Sequence, residues 1–268
     1  MPDGRINAKD DLVTRTASSK GNALVTGASR RIGSRIATRL AEAGFDVALH
    51  ASARSRDKAE GLAATLVGLG VRSCVMTGDL ADAARCASLI AEARQRLGPL
   101  CLLVNNAAIF ESDSAEAVDL DLWDRQFAVN LRAPVLLSRD FAAQAVPGDD
   151  ASIVNLIDQR VLRPTPQYFS YTLAKSALWT ATRTMAQAFA ERGVRVNAIG
   201  PGPVLPNANE GSAGFSKEVE GVPLHRAVEP DEIAAAVLYL AGARAVTGQM
   251  IAVDAGQHLG WRTPDVVE

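Results

Sequence analysis

The stretch LVTGASRRIGSRIA, residues 24–37, joins an apolar strand-like run to a glycine turn and the start of an amphipathic helix. Gly27 permits a tight turn, and Gly33 lets the helix pack closely against the strand. The amide groups at the start of that helix then face a pyrophosphate. The stretch therefore predicts a nucleotide-binding loop near the start of an α/β fold. Arg31 stands where a third glycine would be expected, which places a cation in this loop.

The rest of the chain alternates short apolar runs with longer amphipathic stretches. The strand-like runs are residues 22–28, 46–51, 73–79, 100–108, 151–158, 194–202 and 249–256. Strands that are apolar on both faces and separated by helices indicate a parallel sheet covered on both sides. We expect a Rossmann-type, doubly wound α/β fold: a parallel seven-stranded sheet with helices on both faces. Ligands of such folds lie at the carboxyl ends of the strands.

The length of 268 residues suits one such domain. We expect residues 21–268 to form a single nucleotide-binding catalytic domain, preceded by a flexible polar tail at 1–20. The segment 203–224 breaks the alternation and is rich in Gly, Pro and Asn. Because it follows the sixth strand, it is predicted to be a substrate loop over the strand ends. A surface loop without function is the alternative.

Composition argues against several kinds of partner. The net charge of −2 gives no argument for nucleic acid or an anionic membrane, and no apolar stretch approaches the ~20 residues that span a bilayer. The N-terminus lacks the apolar region of a secretory signal, and three cysteines do not suggest a disulfide framework. Three histidines without metal-ligand spacing predict no metal site. We therefore expect a cytoplasmic protein that acts on a small molecule.

The residues after the second strand favour NADP(H) over NAD. An NAD-selecting site places an acid at the end of this strand to hold the ribose 2′-hydroxyl, whereas this chain reads ASARSR at 51–56. Ser52 and Arg54 of that turn, with Arg30 and Arg31 of the glycine loop, offer donors to a 2′-phosphate. The alternative is that the arginines of the turn only begin a solvated helix.

Catalytic chemistry is indicated by YFSYTLAKSAL, residues 168–178, which follows the fifth strand. Tyr171 and Lys175 lie four apart and therefore on one helix face. A lysine charge ~5 Å from the phenol, at an effective dielectric of ~20, is worth about 3 kcal/mol or roughly 2 pKa units. We expect this charge to lower the tyrosine pKa from about 10 into reach of proton transfer at neutral pH.

Together these motifs resemble those of the short-chain dehydrogenase/reductases. The resemblance rests on residues 26–33, NNAA at 105–108, Asn130 in FAVNLRAP, YTLAK at 171–175 and the Pro201–Gly202 pair. It implies that Tyr171 is the catalytic acid, that Lys175 holds the nicotinamide ribose and that Asn130 anchors a proton-relay water. It also implies a homotetramer.

The resemblance also implies how NADP(H) is held along the chain. The implied cofactor contacts are Gly27, Ser29, Arg30, Arg31, Ile32, Gly33, His50, Ser52, Arg54, Asp79, Leu80, Asn106, Ala107, Tyr171, Lys175, Pro201, Gly202 and Val204. In this arrangement the middle members line the adenosine, and the last three pack beside the nicotinamide.

One departure from the family pattern narrows the substrate. The family usually has a serine about 13 residues before its tyrosine, and this chain has Asp158. A carboxylate there would oppose an oxyanion developing on a carbonyl. It could instead hydrogen-bond a basic ring or pass a proton towards a ring nitrogen through Tyr171. With Arg31 in the glycine loop, Asp158 makes the chain resemble the pteridine reductases within this superfamily.

That resemblance implies a substrate pocket. Phe110 would stack on the pterin, Tyr168 would be a second pocket tyrosine, and Arg31 would reach both the pyrophosphate and the pterin. The predicted substrate residues are Arg31, Phe110, Asp158, Tyr168 and Tyr171. Ala108 departs from the pattern, because those enzymes commonly carry a pterin-contacting serine there. The alternatives are core packing for the two aromatic residues and a structural cap for Asp158.

We predict an NADPH-dependent reductase that transfers hydride to a pterin, a dihydropteridine or a folate-like compound, with protons delivered by Tyr171 and Asp158. The first alternative is a short-chain reductase of another carbonyl or imine substrate. The second is a nucleotide-binding regulatory protein without catalysis, although the intact Tyr171, Lys175 and Asn130 argue against it.

Overall fold

Seven parallel strands form one sheet in the order β3-β2-β1-β4-β5-β6-β7 in the computed structural model, which describes residues 19–146, 148–206 and 211–261. The strands are β1 (Gly21–Val25), β2 (Phe45–Ala51), β3 (Ser73–Thr77), β4 (Leu100–Asn105), β5 (Ala151–Leu156), β6 (Val194–Pro201) and β7 (Met250–Val253). Each neighbouring pair is parallel. The predicted α/β fold with a doubly wound parallel sheet is confirmed.

Most strands end earlier than their apolar runs. β1 ends at Val25 rather than at residue 28, and β4 ends at Asn105 rather than at residue 108. In both places the small or apolar residues continue into a loop, where the backbone leaves the sheet. The overlong predictions therefore fall at the carboxyl edge, where ligands bind in folds of this kind.

Helices cover both faces of the sheet. Those in the described residues are α1 (Arg31–Glu42), α2 (Arg56–Gly68), α3 (Ala83–Leu97), α4 (Leu120–Phe127), α5 (Ala133–Gln144), α6 (Phe169–Phe189), α7 (Gly211–Glu220) and α8 (Pro230–Gly242). Successive side chains of a strand point to opposite faces. Ala23 and Val25 of β1 accordingly pack with α1 and α8, whereas Leu24 packs with α3 and α5. All three are fully buried, so both layers are dry cores.

The prediction that 203–224 is a loop is wrong over its second half, where α7 forms. The sequence GSAGFSKEVE contains two glycines, which are poor helix formers and hide the helical pattern. Residues 207–210 of this segment lie outside the described residues, as does the part of the predicted tail at 1–18. Among the described residues no helix is long and apolar enough to cross a membrane.

Substitution of Gly33 tests the close packing of the helix α1 on the glycine turn. A Cβ at Gly33 would meet the carbonyl oxygen of Gly27 and the side-chain amide of Asn106. We expect Gly33→Ala to lower the free energy of unfolding by about 1–3 kcal/mol, because the backbone around it cannot yield freely. Gly61 in the exposed middle of α2 has open space around it, so Gly61→Ala should stabilise by about 0.5–1 kcal/mol. Urea unfolding measures the free energy of unfolding of both variants. Equal changes in the two would contradict the close packing at Gly33.

Candidate active site

A cleft of about 1020 Å³ runs along the carboxyl ends of the strands. It lies where β1 and β4 are neighbours, the point at which strand order reverses and doubly wound sheets bind their ligands. All the predicted cofactor residues except Arg54 line it. The predicted substrate residue Tyr168 does not line the cleft. The predicted catalytic residue Asn130 does not line it either.

The glycine turn is held in place by the NNAA segment. The Thr26 hydroxyl accepts hydrogen bonds from the backbone N–H groups of Asn106 and Ala107, each at 3.0 Å. The Asn106 side chain donates in return to the carbonyl oxygen of Thr26 at 2.8 Å. Gly27 has φ +63°, in the left-handed region that glycine tolerates. These bonds fix the spacing between the turn and the end of β4.

His50 supports the same turn from β2. Its Nδ1 accepts from the Gly27 backbone N–H at 3.5 Å, and its Nε2 lies 3.3 Å from the carbonyl oxygen of Gly78. Burial lowers the pKa of His50 to about 4. The ring is therefore neutral at physiological pH and carries its proton on Nε2. His50 lines the cleft as predicted and also joins the loops that follow β1 and β3.

Arg31 makes different contacts from those predicted. Its guanidinium donates to the carbonyl oxygens of Pro206 at 2.8 Å and Leu205 at 3.1 Å, in the loop after β6. Arg31 also lines the cleft, and its predicted reach towards phosphate and pterin stays a prediction. Its backbone has φ +54°, which explains why glycine would be expected at this position. Arg31 joins the start of α1 to the loop that borders the opposite side of the cleft.

The end of β2 presents hydroxyl groups to the cleft and turns its arginines away. Ser52 and Ser55 line the cleft, with their Oγ atoms 2.8 Å apart. Arg54 is exposed and does not line it, so its contact with a 2′-phosphate stays a prediction. Arg56 forms an ion pair with Glu60 at 2.7 Å on the solvated side of α2. From residues 51–56 the cleft receives no acidic side chain.

Tyr171 and Asp158 are joined by a direct hydrogen bond. Tyr171 Oη donates to Asp158 Oδ2 at 3.0 Å. Asp158 Oδ1 accepts from the backbone N–H of Arg160 at 2.9 Å and so caps the short 3-10 turn Gln159–Val161. The interpretation of Asp158 as a structural cap is therefore confirmed, and because it also lines the cleft its part in the reaction stays a prediction. The cap fixes the carboxyl group, and the free Oδ2 side meets the tyrosine.

Lys175 is buried one helical turn beyond Tyr171. Its Nζ donates to the Leu156 carbonyl oxygen at 2.7 Å, at the end of β5, and lies 5.8 Å from the centre of the Tyr171 ring. Burial lowers the pKa of Lys175 to about 8, and the charge of Asp158 partly opposes this. The ammonium is thus anchored to the end of β5, two residues before Asp158.

The predicted lowering of the Tyr171 pKa is wrong. Burial, followed by the charge and hydrogen bond of Asp158, raises the pKa of Tyr171 well above its usual value. Burial also raises the pKa of Asp158, against the opposing effects of Arg160, Tyr171 and Lys175. Both groups therefore retain protons to higher pH than they would in water.

Aromatic rings stand beside this pair. Phe110 stacks on Tyr168 with centroids 4.1 Å apart and an interplanar angle of 8°, and its ring meets Tyr171 edge to face at 4.7 Å. Arg160, which was not among the predicted site residues, lies 5.0 Å above the Tyr168 ring. Tyr168 precedes α6 with φ +57°, a conformation that costs free energy for a residue with a side chain. It is buried and supports Phe110, which faces the cleft.

Asn130 holds the loop that carries Phe110. It sits in a π-helical turn, Ala128–Arg132, between α4 and α5, and such turns often mark functional sites. Its Oδ1 accepts from the Ile109 N–H at 3.0 Å, while its Nδ2 donates to the Ile109 carbonyl at 2.9 Å and to Gln126 at 2.9 Å. Its part in a proton relay stays a prediction.

Sequence reasoning missed several cleft residues. Among them are Gln159, Arg160, Glu218 and Gln257. Gln159 and Arg160 could have been found by their position directly after Asp158. Glu218 lies on α7, and Gln257 lies in a 3-10 turn after β7, so neither carried a local signal.

Known proteins resemble this chain over most of its length. A family model described as enoyl-(acyl carrier protein) reductase matches residues 27–258. A short-chain type dehydrogenase/reductase from Picea abies is 34% identical over 249 residues, which are 88% of this chain and 91% of that protein. The chain belongs to the short-chain dehydrogenase/reductase family. It is accordingly an oxidoreductase, and the resemblance expected from the Tyr171–Lys175 motif is confirmed.

Two further members of the short-chain dehydrogenase/reductase family differ in the substrate that their names give. FolM alternative dihydrofolate reductase 1 from Brucella canis, crystallised with NADP, is 48% identical; the match covers 93% of this chain and 98% of that one, with a TM-score of 0.88. The 3-oxoacyl-[acyl-carrier-protein] reductase FabG of Staphylococcus epidermidis is 32% identical over 242 residues, which are 89% of this chain and 99% of that protein.

Substitution of Arg31 tests its bridge across the cleft. Arg31→Gly relieves the left-handed backbone, worth about 1–2 kcal/mol, so the melting temperature should not fall. We expect the dissociation constant for NADPH to rise several-fold, because the loop after β6 loses its tether. Arg31→Lys is the comparison, since one ammonium cannot reproduce the planar fork on two carbonyls. Fluorescence titration measures both, and unchanged NADPH affinity in both variants would contradict a binding role for the bridge.

Proposed function

We propose that the protein uses NADPH to reduce a pteridine ring, as a dihydropteridine or a folate-like compound. The observation that carries the proposal is the hydrogen bond from Tyr171 to Asp158 inside the cleft. Hydride adds to a ring carbon, and a proton adds to the adjacent ring nitrogen. The C=N bond becomes a CH–NH unit, and NADPH becomes NADP⁺.

Asp158 favours nitrogen over oxygen as the proton acceptor. Reduction of a carbonyl develops negative charge on oxygen, which a nearby carboxylate would oppose. A carboxyl group whose pKa is raised by burial instead holds a proton that a basic ring nitrogen can take. Tyr171, hydrogen-bonded to Oδ2, either passes that proton or orients the carboxyl group that does. This chemistry is what an aspartate offers in the position where the family has serine.

The residues of the cleft fit NADP(H). Gly27 lines the cleft in a turn where a Cβ would meet Ala107, and the start of the helix that follows would face a phosphate group. Ser52 and Ser55 present hydroxyls at the end of β2 without an acid beside them. Lys175 would hold the nicotinamide ribose, and Pro201, Gly202 and Val204 would pack by the nicotinamide. When bound, NADPH supplies the hydride. FolM of Brucella canis, similar over nearly its whole length, was crystallised with NADP.

Phe110 would provide the face on which a flat heterocycle lies. It lines the cleft next to Tyr171, and Tyr168 and Arg160 fix its position from behind and above. Stacked aromatic contacts are worth about 0.5–1.5 kcal/mol beyond area burial. The similarity to FolM, which is named an alternative dihydrofolate reductase, supports the same substrate class.

Reduction of another carbonyl or imine is the second candidate. It is favoured by the similarity to FabG, named a 3-oxoacyl-[acyl-carrier-protein] reductase, and by a Tyr171–Lys175 pair that serves either reaction. The single domain, the cytoplasmic location and the homotetramer stay predictions. The described residues contain no cluster that could hold a metal ion.

The proposal predicts a dependence on both members of the pair. Wild-type protein should oxidise NADPH in the presence of a dihydropteridine with saturation, and Tyr171→Phe and Asp158→Asn should lower kcat/KM by about 10²–10⁴-fold. Because the pKa of Asp158 is raised and its protonated form is the acid, the rate should fall as pH rises through that pKa. Asp158→Asn should remove this fall of the rate at higher pH, while the affinity for NADPH stays the same.

Asp158→Ser distinguishes the two candidate functions. It restores the residue usual in the family, so ketone reduction should rise and pteridine reduction should fall if Asp158 serves nitrogen protonation. Steady-state rates on both substrate classes measure this. Full pteridine turnover in Asp158→Ser would sink the proposed role of the carboxyl group.

A further inference from the structure

The helix α6, which carries Tyr171 and Lys175, begins without a capping side chain of its own. Tyr168 stands directly before its first turn, makes no side-chain capping bond and has φ +57°. The first N–H groups of a helix have no partner within the helix, so they need acceptors from elsewhere. A left-handed backbone at a residue with a side chain also persists only where its surroundings hold it. Another part of the chain must therefore hold the start of α6.

Asp113, which lies 57 residues before Ser170, supplies acceptors for two of these groups. Both of its carboxylate oxygens accept from the Ser170 N–H at 3.1 Å, and its backbone carbonyl accepts from the Phe169 N–H at 3.5 Å. Negative charge at a helix N-terminus is also favoured by the helix dipole. An aspartate from a distant loop thus caps α6 at the residue directly before Tyr171.

Asp113 ends the segment that carries Phe110. This segment, residues 109–113, follows β4 and is called the strap here. At its other end Ile109 exchanges two hydrogen bonds with the Asn130 side chain, at 3.0 and 2.9 Å. The strap is therefore fixed at both ends, to the π-helical turn on one side and to the start of α6 on the other.

The strap sets the distance between two parts of the candidate site. The Phe110 ring meets the Tyr171 ring edge to face at 4.7 Å, and Asp113 holds the residue before Tyr171. Release of the strap at Asp113 would shift the Phe110 ring relative to the phenol that donates to Asp158. A misplacement of about 1 Å can lower a rate by about 100-fold, because reacting groups then leave their productive geometry.

We propose that Asp113 is a positioning residue for the reduction: its hydrogen bonds to the start of α6 fix the ring of Phe110 relative to the hydroxyl group of Tyr171. The inference rests on the proposed function, in which Phe110 is the face on which the pteridine ring lies. Asp113 is half-buried and does not line the cleft, so it acts through the strap and the helix and not on the substrate.

Removal of this cap tests the proposal. Asp113→Ala leaves the Ser170 N–H without its acceptor, so we expect kcat for dihydropteridine reduction to fall about 10–100-fold and KM for the pteridine to rise several-fold. The affinity for NADPH should change by less than about twofold, because other bonds hold the glycine turn. Steady-state kinetics and fluorescence titration, both below the melting temperature, measure these changes.

Asp82 supplies the matched control. It caps α3, where its Oδ1 accepts from the Ala84 N–H at 2.9 Å, and α3 carries none of the predicted substrate residues. Asp82→Ala should lower the melting temperature about as much as Asp113→Ala does, by roughly 2–4 °C, since each variant loses one helix cap. Its kcat should stay within about twofold of wild type. The comparison separates positioning from loss of stability.

Two further variants separate the hydrogen bond from the charge. Asp113→Asn keeps an acceptor oxygen for the Ser170 N–H and should retain kcat within about threefold. Asp113→Glu keeps the charge, but its side chain is one methylene longer, so kcat should fall about three- to tenfold. Asp113→Glu also tests the inference if Asp113→Ala does not fold.

The possible failures are distinct. If wild type reduces the dihydropteridine and Asp113→Ala keeps the kcat of Asp82→Ala, the inference is wrong and the proposed function stands. An Asp113→Asn variant as slow as Asp113→Ala would also overturn the inference, because the charge and not the hydrogen bond would then matter. If wild type reduces only ketones, the proposed function fails. The same comparison of kcat on a ketone then decides the inference, since Tyr171 donates the proton in either reaction.

Discussion

The hydrogen bond between Tyr171 and Asp158 is the contact on which the rest of the site depends. It joins the helix α6 to the segment after β5 at 3.0 Å, and both residues line the cleft. The backbone of Arg160 fixes the carboxyl group, and Lys175 ties the helix to the Leu156 carbonyl of the same strand. These local bonds hold two acidic groups together although burial raises the pKa of each. In the proposed function, this arrangement holds the proton that the substrate receives.

On the cofactor side of the cleft, hydrogen bonds fix the distance between the glycine turn and the neighbouring strands. The Thr26 hydroxyl and the Asn106 amide lock the glycine turn to the end of β4, and neutral His50 holds it from β2. Arg31 adds a connection across the cleft to the loop after β6. The cation that replaces a glycine therefore connects two loops at the cost of a left-handed backbone. The bonds of Arg31 fix the loop that borders the cleft, although its left-handed backbone costs free energy.

Much of the fold and of the candidate site could be predicted from the sequence, because these features are defined by residues close together in the chain. Apolar runs and their spacing predicted all seven strands, because most of the strands are buried on both faces. Motifs found Tyr171, Lys175 and the glycine turn, since each is defined within a few residues. The helix α7 was missed because of its glycines. The bonds of Arg31 and the burial that sets the direction of the Tyr171 pKa depend on residues distant in sequence, and no local pattern predicts them.

The protonation state of Asp158 tests the central claim most directly. Infrared difference spectra between wild type and Asp158→Asn, recorded across pH, isolate the carbonyl stretch of its protonated carboxyl group. The account predicts that this band persists well above the pKa of about 3.9 for an ordinary aspartate and disappears in the variant. A carboxyl group that ionises at its ordinary pKa would contradict the account, because Asp158 would then hold no proton to give.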